Sequence, residues 1–273
     1  MINEIIEKTA SIRHEHPSDY KDKDGYLVCH KCHKRKEMDI EYPKGSKQYK
    51  RVFITCDCDK EEQLRLKQQK AKQQHEQMLQ KLYAQGLTDE AYRKNTFEID
   101  DNRNEEITRL CKQYVKNFDK LKKEGYGIIF YGDTGGGKSF YSCCIANALI
   151  HKGVRVLVSR LSDLVKNRTS GKQDSPVNVK NFDLIVLDDI GAENYTPTAY
   201  NIIDDIYRSN IPLIVTTNLA PSMMKKPKTI EQKRIYDRVI ERCCITAKVD
   251  VRKTRLDMSH KNREQAMAIM GLT

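Results

Sequence analysis

Residues Gly132–Ser139 read GDTGGGKS, directly after the apolar run GIIFY at 127–131 and directly before FYSCCIANALIHKG. A strand of that character is buried on both faces, and a chain that leaves it through a glycine-rich turn into a helix has few folds open to it. In the spacing Gly-x-x-x-x-Gly-Lys-Ser, backbone N–H groups close around an anion while the helix N-terminus adds its positive end. Lys138 then reaches the β- and γ-phosphates of a nucleoside triphosphate, and Ser139 supplies an oxygen to Mg²⁺. Gly132, Thr134, Gly135, Gly136, Gly137, Lys138, Ser139 and Phe140 are the expected ATP/ADP-binding residues. A chance glycine-rich turn is the competing explanation, and the flanking strand and helix count against it.

Three further apolar runs alternate with helical segments: VRVLVS (154–159), FDLIVLDDI (182–190) and PLIVTTN (212–218). This grammar predicts an α/β fold with a parallel sheet flanked by helices on both faces. The second run delivers Asp188 and Asp189 at its C-terminal end, where open α/β sheets bind ligands. Asp188 is expected to hold magnesium together with Ser139, and Asp189 to position or deprotonate the attacking water. One such carboxylate is often a helix cap; a pair beside a phosphate loop is not explained that way. Asn218, ending the third run, is placed to orient that water or sense the γ-phosphate. In RIYDRVIERCC (234–244), Arg234, Arg238 and Arg242 share one helical face. A solvated basic face accounts for such a stripe equally well. Phosphoryl transfer, however, gains greatly from an arginine supplied by a neighbour in ring-forming ATPases, and Arg238 is the expected finger.

The 273 residues suffice for one ordinary domain and an appendage. Residues 1–58 are poor in apolar side chains and hold CHKC (29–32) and CDC (56–58), with 23 residues between the pairs. Thiolates of Cys29, Cys32, Cys56 and Cys58 can surround a tetrahedral Zn²⁺ that staples a block too small to fold on its own core. His30 or His33 would be substitute ligands, and unrelated buried or redox thiols are the alternative. With four protein ligands, such a zinc is structural. Cys111, Cys143, Cys144, Cys243 and Cys244 show no ligand spacing and are expected as small core residues.

From Asp59 to about Gln85 strong helix formers carry only a thin stripe of Leu64, Ala71, Met78 and Leu82, which reads as an exposed linker helix capped by Gly86. An amphipathic helix is expected around 103–123. The organisation is then 1–58 zinc-binding, 59–86 linker and 87–273 ATPase. A net charge of +11 suits a polyanionic partner and a lysine-rich surface alike. No run approaches the roughly 20 apolar residues of a membrane span. The opening MINEIIEKTASIRHEH has no signal-like core, and nine cysteines make an odd number. The expectation is a cytoplasmic protein with reduced thiols and no membrane partner.

Residues 87–262 resemble the AAA+ replicative helicase loaders of the DnaC/DnaI type, within the IstB-like ATPase clade. The resemblance rests on AYRKNTFEIDD, YGDTGGGKS followed by IANALI, LIVLDDIGAE with Glu193, TTNL and RIYDRVIERC. The cysteine block and linker resemble, by layout, the zinc-bearing helicase-binding domain of the DnaI branch. The resemblance implies an AAA+ P-loop core and self-association through the ATPase domain. It also implies contact with single-stranded DNA and capture of a hexameric replicative DNA helicase through the N-terminal domain. Lys138 and Ser139 would be the Walker A pair, Asp188 and Asp189 the Walker B acids, Asn218 sensor 1 and Arg238 the finger. Where the family often has Ser-Tyr-Arg, this chain reads Ser259-His260-Lys261, so Lys261 or Arg263 would serve as sensor 2.

Three other readings compete. An IstB-type transposition helper shares the core but usually lacks a cysteine-rich N-terminal domain. A small-molecule kinase needs only the phosphate loop. A zinc adaptor would use nucleotide structurally without hydrolysis. For DNA contact the expected residues are Arg160, Lys166, Arg168 and Tyr195.

Overall fold

The computed structural model describes residues 15–249 other than 44, 103, 171–176 and 192–194, together with residue 267. Glu193, Lys261 and Arg263 lie outside the described residues. The chain divides into two compact units between Glu76 and Gln77.

In the first unit, β1 (Tyr20–Lys21) pairs antiparallel with β2 (Leu27–Val28), and β3 (Glu37–Glu41) with β4 (Tyr49–Phe53). Among its described residues the buried apolar side chains are Leu27, Val28, Cys29 and Cys56, two of which are thiols. So little apolar burial does not offset the entropy of ordering the loops. A buried ion cluster sits beside it. Lys36, 2% exposed, is bracketed by Asp19 at 2.7 Å and Asp59 at 2.9 Å. Burial opposes charge on both partners, but their mutual hydrogen bonds dominate. The Asp19 carboxyl is held well below the carboxylate range and Lys36 is pushed up to about 12.

Helix α1 (Asp57–Gly86) contains no proline. As its composition predicts, the residues up to the middle of the helix are mostly exposed, but Leu79, Leu82 and Tyr83 pack on the core of the second unit. Gly86 does not cap the helix in a left-handed conformation. Its backbone lies so close to that of Val156 that a Cβ there would stand 1.9 Å from the Val156 carbonyl oxygen. Glycine is required for approach, not for turning.

After α2 (Glu90–Arg93), the helix expected at 103–123 is two: α3 (Glu105–Lys116) and α4 (Phe118–Glu124). Asn117 breaks it, adopting φ −101°, ψ 13° and donating its Nδ2 to the Gln113 carbonyl at 2.9 Å. Asparagine thereby competes with the helical backbone.

The remaining elements follow in chain order as β5 (Ile128–Tyr131), α5 (Lys138–His151), β6 (Val156–Arg160), α6 (Leu161–Thr169), β7 (Leu184–Ile190), α7 (Pro197–Arg208), β8 (Leu213–Thr217), α8 (Pro221–Met224), α9 (Ile230–Arg242) and β9 (Ile245–Lys248). The five strands β5–β9 form a parallel sheet in the order β6-β7-β8-β5-β9. Alternation divides the core between its faces. Ile128, Phe130, Leu184, Val186 and Ile214 face α3 and α5. Ile129, Ile185, Leu187, Leu213 and Val215 face α6, α7 and α9. Cys111, Cys143, Cys144 and Cys243 are buried as expected; Cys244 is exposed. Because the strands are parallel, the C-terminal ends of β5, β8 and β7 lie side by side, with β8 in the middle. That order sets Asn218 between the phosphate loop and the acidic pair.

Candidate functional site

Glycines 132, 135 and 137 take positive φ. Gly132 needs its freedom most: at φ 137° a Cβ would also stand 2.3 Å from the Val249 carbonyl oxygen. The loop therefore folds against the chain that leaves β9. Lys138, 7% exposed, donates its Nζ to the carbonyls of Gly132 (2.9 Å) and Asp133 (2.7 Å) and to Asn218 Oδ1 (2.9 Å). The sequence-predicted lysine and β8-end asparagine thus meet directly, although 80 residues separate them.

The two acids are treated differently by the backbone. Asp188 is 5% exposed and receives three hydroxyls. Ser139 Oγ (2.7 Å) and Thr216 Oγ1 (2.6 Å) donate to its Oδ1, and the Tyr92 hydroxyl (2.7 Å) donates to Oδ2. Between Leu187 and Ile190 the register with β8 slips, and Asp189 takes φ 61° while its N–H donates to Thr216 Oγ1 at 2.8 Å. Such an irregularity re-aims a side chain. It turns Asp189 outward, so one acid is held by three hydroxyls beside Ser139 and the other is presented to a cavity.

That cavity measures about 990 Å³ and is lined by Thr134–Tyr141, Asp188, Asp189, Thr216 and Asn218. Tyr92, Asn95, Ile99 and Ile107 also line it, so the AYRKNTFEIDD stretch contributes to its wall. The residues fit a nucleoside triphosphate: anion-binding loop, lysine and an apolar-sided recess in one hollow. They also fit magnesium, a hard cation that takes oxygen ligands, through Ser139 and Asp188. Arg160, an expected DNA contact, lines this cavity.

The other expected DNA contacts have partners within the chain. Lys166 pairs with Asp163, Arg168 with Asp205, and the Tyr195 ring packs edge-on against Tyr236. Arg238 is not among the residues lining the cavity. Its guanidinium donates to Asp204 (2.9 Å), the Tyr200 hydroxyl (2.7 Å) and the Arg234 carbonyl (3.2 Å), and stacks over the Tyr200 ring. Arg234 also lies over Tyr200, and Arg242 over Tyr207, so the stripe forms a ladder on α7.

In the first unit, Sγ atoms of Cys29, Cys32, Cys56 and Cys58 all lie within 4.8 Å of one another, with no disulfide among them. A tetrahedral Zn²⁺ with Zn–S near 2.3 Å requires sulfurs about 3.8 Å apart, so the set fits that ion. CHKC forms a tight turn in which His33 N–H returns to the Cys29 carbonyl. Burial opposes ionisation of Cys29, but N–H groups of Cys32 and Lys31 and the neighbouring thiols hold it down to about 7. His30 and His33 stand outside the four-sulfur set, their rings engaged by Asp19 and by the Tyr20 hydroxyl.

Tyr92, Thr216 and Arg160 were not singled out for the site from the sequence. Thr216 lies within the TTN run and Tyr92 within AYRKNTFEIDD, where no local pattern marks either for this site.

Fold and site together define a P-loop nucleotide-binding protein. Residues 62–263 match the family described as IstB-like ATP binding protein, and the chain belongs to that family. Over 130 residues it is 26% identical to the replicative helicase loader DnaI of Bacillus subtilis, covering 44% of this chain and 42% of the relative. Over 140 residues it is 30% identical to the replicative helicase loader DnaC of Escherichia coli K12, covering 47% and 55%. It is 35% identical over 77 residues to a Sinorhizobium fredii protein described as an insertion sequence ATP-binding protein, covering 26% of each. The chain therefore spans about half or less of these relatives' lengths. A crystal structure of the DnaC helicase loader matches 60% of this chain and 100% of its own at 20% identity, with a TM-score of 0.50. The expected α/β core with a parallel, helix-flanked sheet is that of these AAA+ proteins. No described helix is long and apolar enough to cross a membrane.

Proposed function

We propose that the protein is an ATP-hydrolysing loader of a hexameric replicative helicase, delivering it to single-stranded DNA. One observation carries this reading: a four-thiol module stands ahead of a nucleotide cavity in the same chain. In it Cys29, Cys32, Cys56 and Cys58 hold a structural zinc, and residues 1–58 recognise the helicase. Residues 59–86 link that module to the ATPase domain at 87–273, which self-associates in the cytoplasm. The loader relatives support the client, and the basic net charge of +11 supports contact with the DNA backbone.

Within the cavity Lys138 binds the β/γ-phosphates, Ser139 and Asp188 hold magnesium, and Asn218 senses the γ-phosphate from its place beside Lys138. Magnesium, when bound, neutralises phosphate charge. Asp189, exposed by the slip in β7, orients the attacking water. Asp189→Asn is expected to leave ATP affinity within about twofold while lowering hydrolysis by about 10²–10⁴, the usual worth of a positioned base. Helicase delivery would then stall with ATP bound. Normal delivery by this variant would instead support a zinc adaptor whose nucleotide is structural.

Arg238 is proposed as a finger acting on a neighbouring protomer's nucleotide; its position outside its own chain's cavity is consistent with that role. To act so, it must exchange Asp204 and Tyr200 for phosphate. Arg238→Ala is expected to bind ATP normally yet lose about 10³-fold of the assembled turnover, the scale of such fingers. A variant that unfolds a few degrees lower but turns over normally when assembled leaves Arg238 as the bracket between α9 and α7. The transposition-helper reading draws on the insertion sequence relative, and DNA-dependent assembly with a transposase in place of a helicase would favour it.

A further inference from the structure

Tyr92 belongs to a four-residue helix, yet its hydroxyl is one of three donors on the buried Asp188. An ionised carboxylate offers about four lone-pair sites. Two donors fill Oδ1 and one occupies Oδ2, which leaves a single site. Because an ionised carboxylate only accepts, the Tyr92 hydroxyl is the donor in this contact and its proton is committed to Asp188. Arg160, at the end of β6, lines the same cavity.

The backbone of Tyr92 is anchored as firmly. Its carbonyl accepts from Asn147 Nδ2 at 2.9 Å, and the same Nδ2 reaches the Asn95 carbonyl at 2.7 Å. Asn147, 1% exposed, lies on α5, the helix that Lys138 opens. Its Oδ1 accepts from the Tyr83 hydroxyl near the end of α1 at 3.0 Å. Arg93 closes the corner by donating to the Leu87 carbonyl at 2.7 Å. Tyr92 is thus held at its backbone carbonyl and at its hydroxyl, by groups outside its own short helix.

We propose that Tyr92, anchored by Asn147, is a positioning residue for the magnesium-binding carboxylate. It holds Asp188 in the one rotation that keeps Oδ1 on Ser139 and leaves the last Oδ2 site open. The inference rests on the reading of Asp188 as magnesium's carboxylate. Partners that orient a metal's ligands are worth about 10–100-fold in metal affinity. Removing the hydroxyl is therefore read in the metal dependence of nucleotide binding, with no turnover required. Because coupling is reciprocal, magnesium also steadies the segment that carries Tyr92.

The test is calorimetric titration of the full chain with a non-hydrolysable ATP analogue, with magnesium and again with EDTA. Tyr92→Phe keeps the ring and its packing. It is expected to lose about 10–100-fold of the affinity that magnesium adds, with affinity in EDTA unchanged. Equal loss with and without magnesium, or no loss, would overturn the positioning role. Asp188→Asn separates the two levels. If it retains the full magnesium gain, the assignment of Asp188 fails and the inference with it. If it loses the gain while Tyr92→Phe does not, only the inference fails.

Discussion

Lys138→Ala is expected to weaken ATP binding by about two to three orders of magnitude, because charge-assisted hydrogen bonds are worth about 1.5–3 kcal/mol each and Lys138 faces two phosphates. The side chain is nearly buried, and its ammonium is already directed by three oxygens, those of Gly132, Asp133 and Asn218. Binding redirects an ordered charge, so little side-chain entropy is lost on phosphate capture. Lys138→Arg is not a conservative replacement here: the wider planar guanidinium does not fit among loop carbonyls set by glycines at positive φ. Equilibrium binding of a fluorescent ATP analogue reads the effect directly. Affinity within threefold of the parent chain would show that the nucleotide sits elsewhere.

Loss of zinc should be the largest single effect on folding, since structural Zn²⁺ in small modules contributes on the order of 10 kcal/mol. The first unit has no reserve to absorb that loss. Its described apolar core is Leu27 and Val28 with two of the thiols. Lys36 also stays buried only while Asp19 and Asp59 surround it. Replacing Cys29 and Cys56 together by serine is expected to reduce bound zinc from one per chain to none and to expose residues 15–56 to protease. ATP binding by the second unit should be retained. A protected first unit in the zinc-free variant would mean that the four sulfurs are clustered without a metal.

The parts of this molecule readable in the sequence are those whose chemistry is local in the chain. GDTGGGKS specifies a loop, a helix start and a lysine within eight consecutive residues, and LIVLDDI specifies a buried strand ending in acids. Contacts made across the sheet left no comparable mark. Tyr92 meets Asp188 over a separation of 96 residues, and nothing periodic in AYRKNTFEIDD announces it. The sequence offers Arg160 as a DNA contact and does not announce its place in the cavity lining, because a strand-end arginine carries no sign of which side the neighbouring elements cover. Strand β9, ITAK, has only two apolar residues and is held by pairing with β5 more than by pattern. Gly86 differs from the expected cap for a physical reason: sequence distinguishes poorly between a glycine needed for left-handed φ and one needed for close approach. The stripe of Arg234, Arg238 and Arg242 was legible as a face, while its partners on α7 were not.

The most direct measurement is capture of the hexameric replicative helicase from the same cell by the full-length protein, followed by size-exclusion chromatography with and without a zinc chelator. The expected result is a stable complex in which this chain and the helicase co-elute, and which chelation dissolves while ATP binding persists. No complex at micromolar concentrations, with zinc bound and the nucleotide site active, would contradict the loader role.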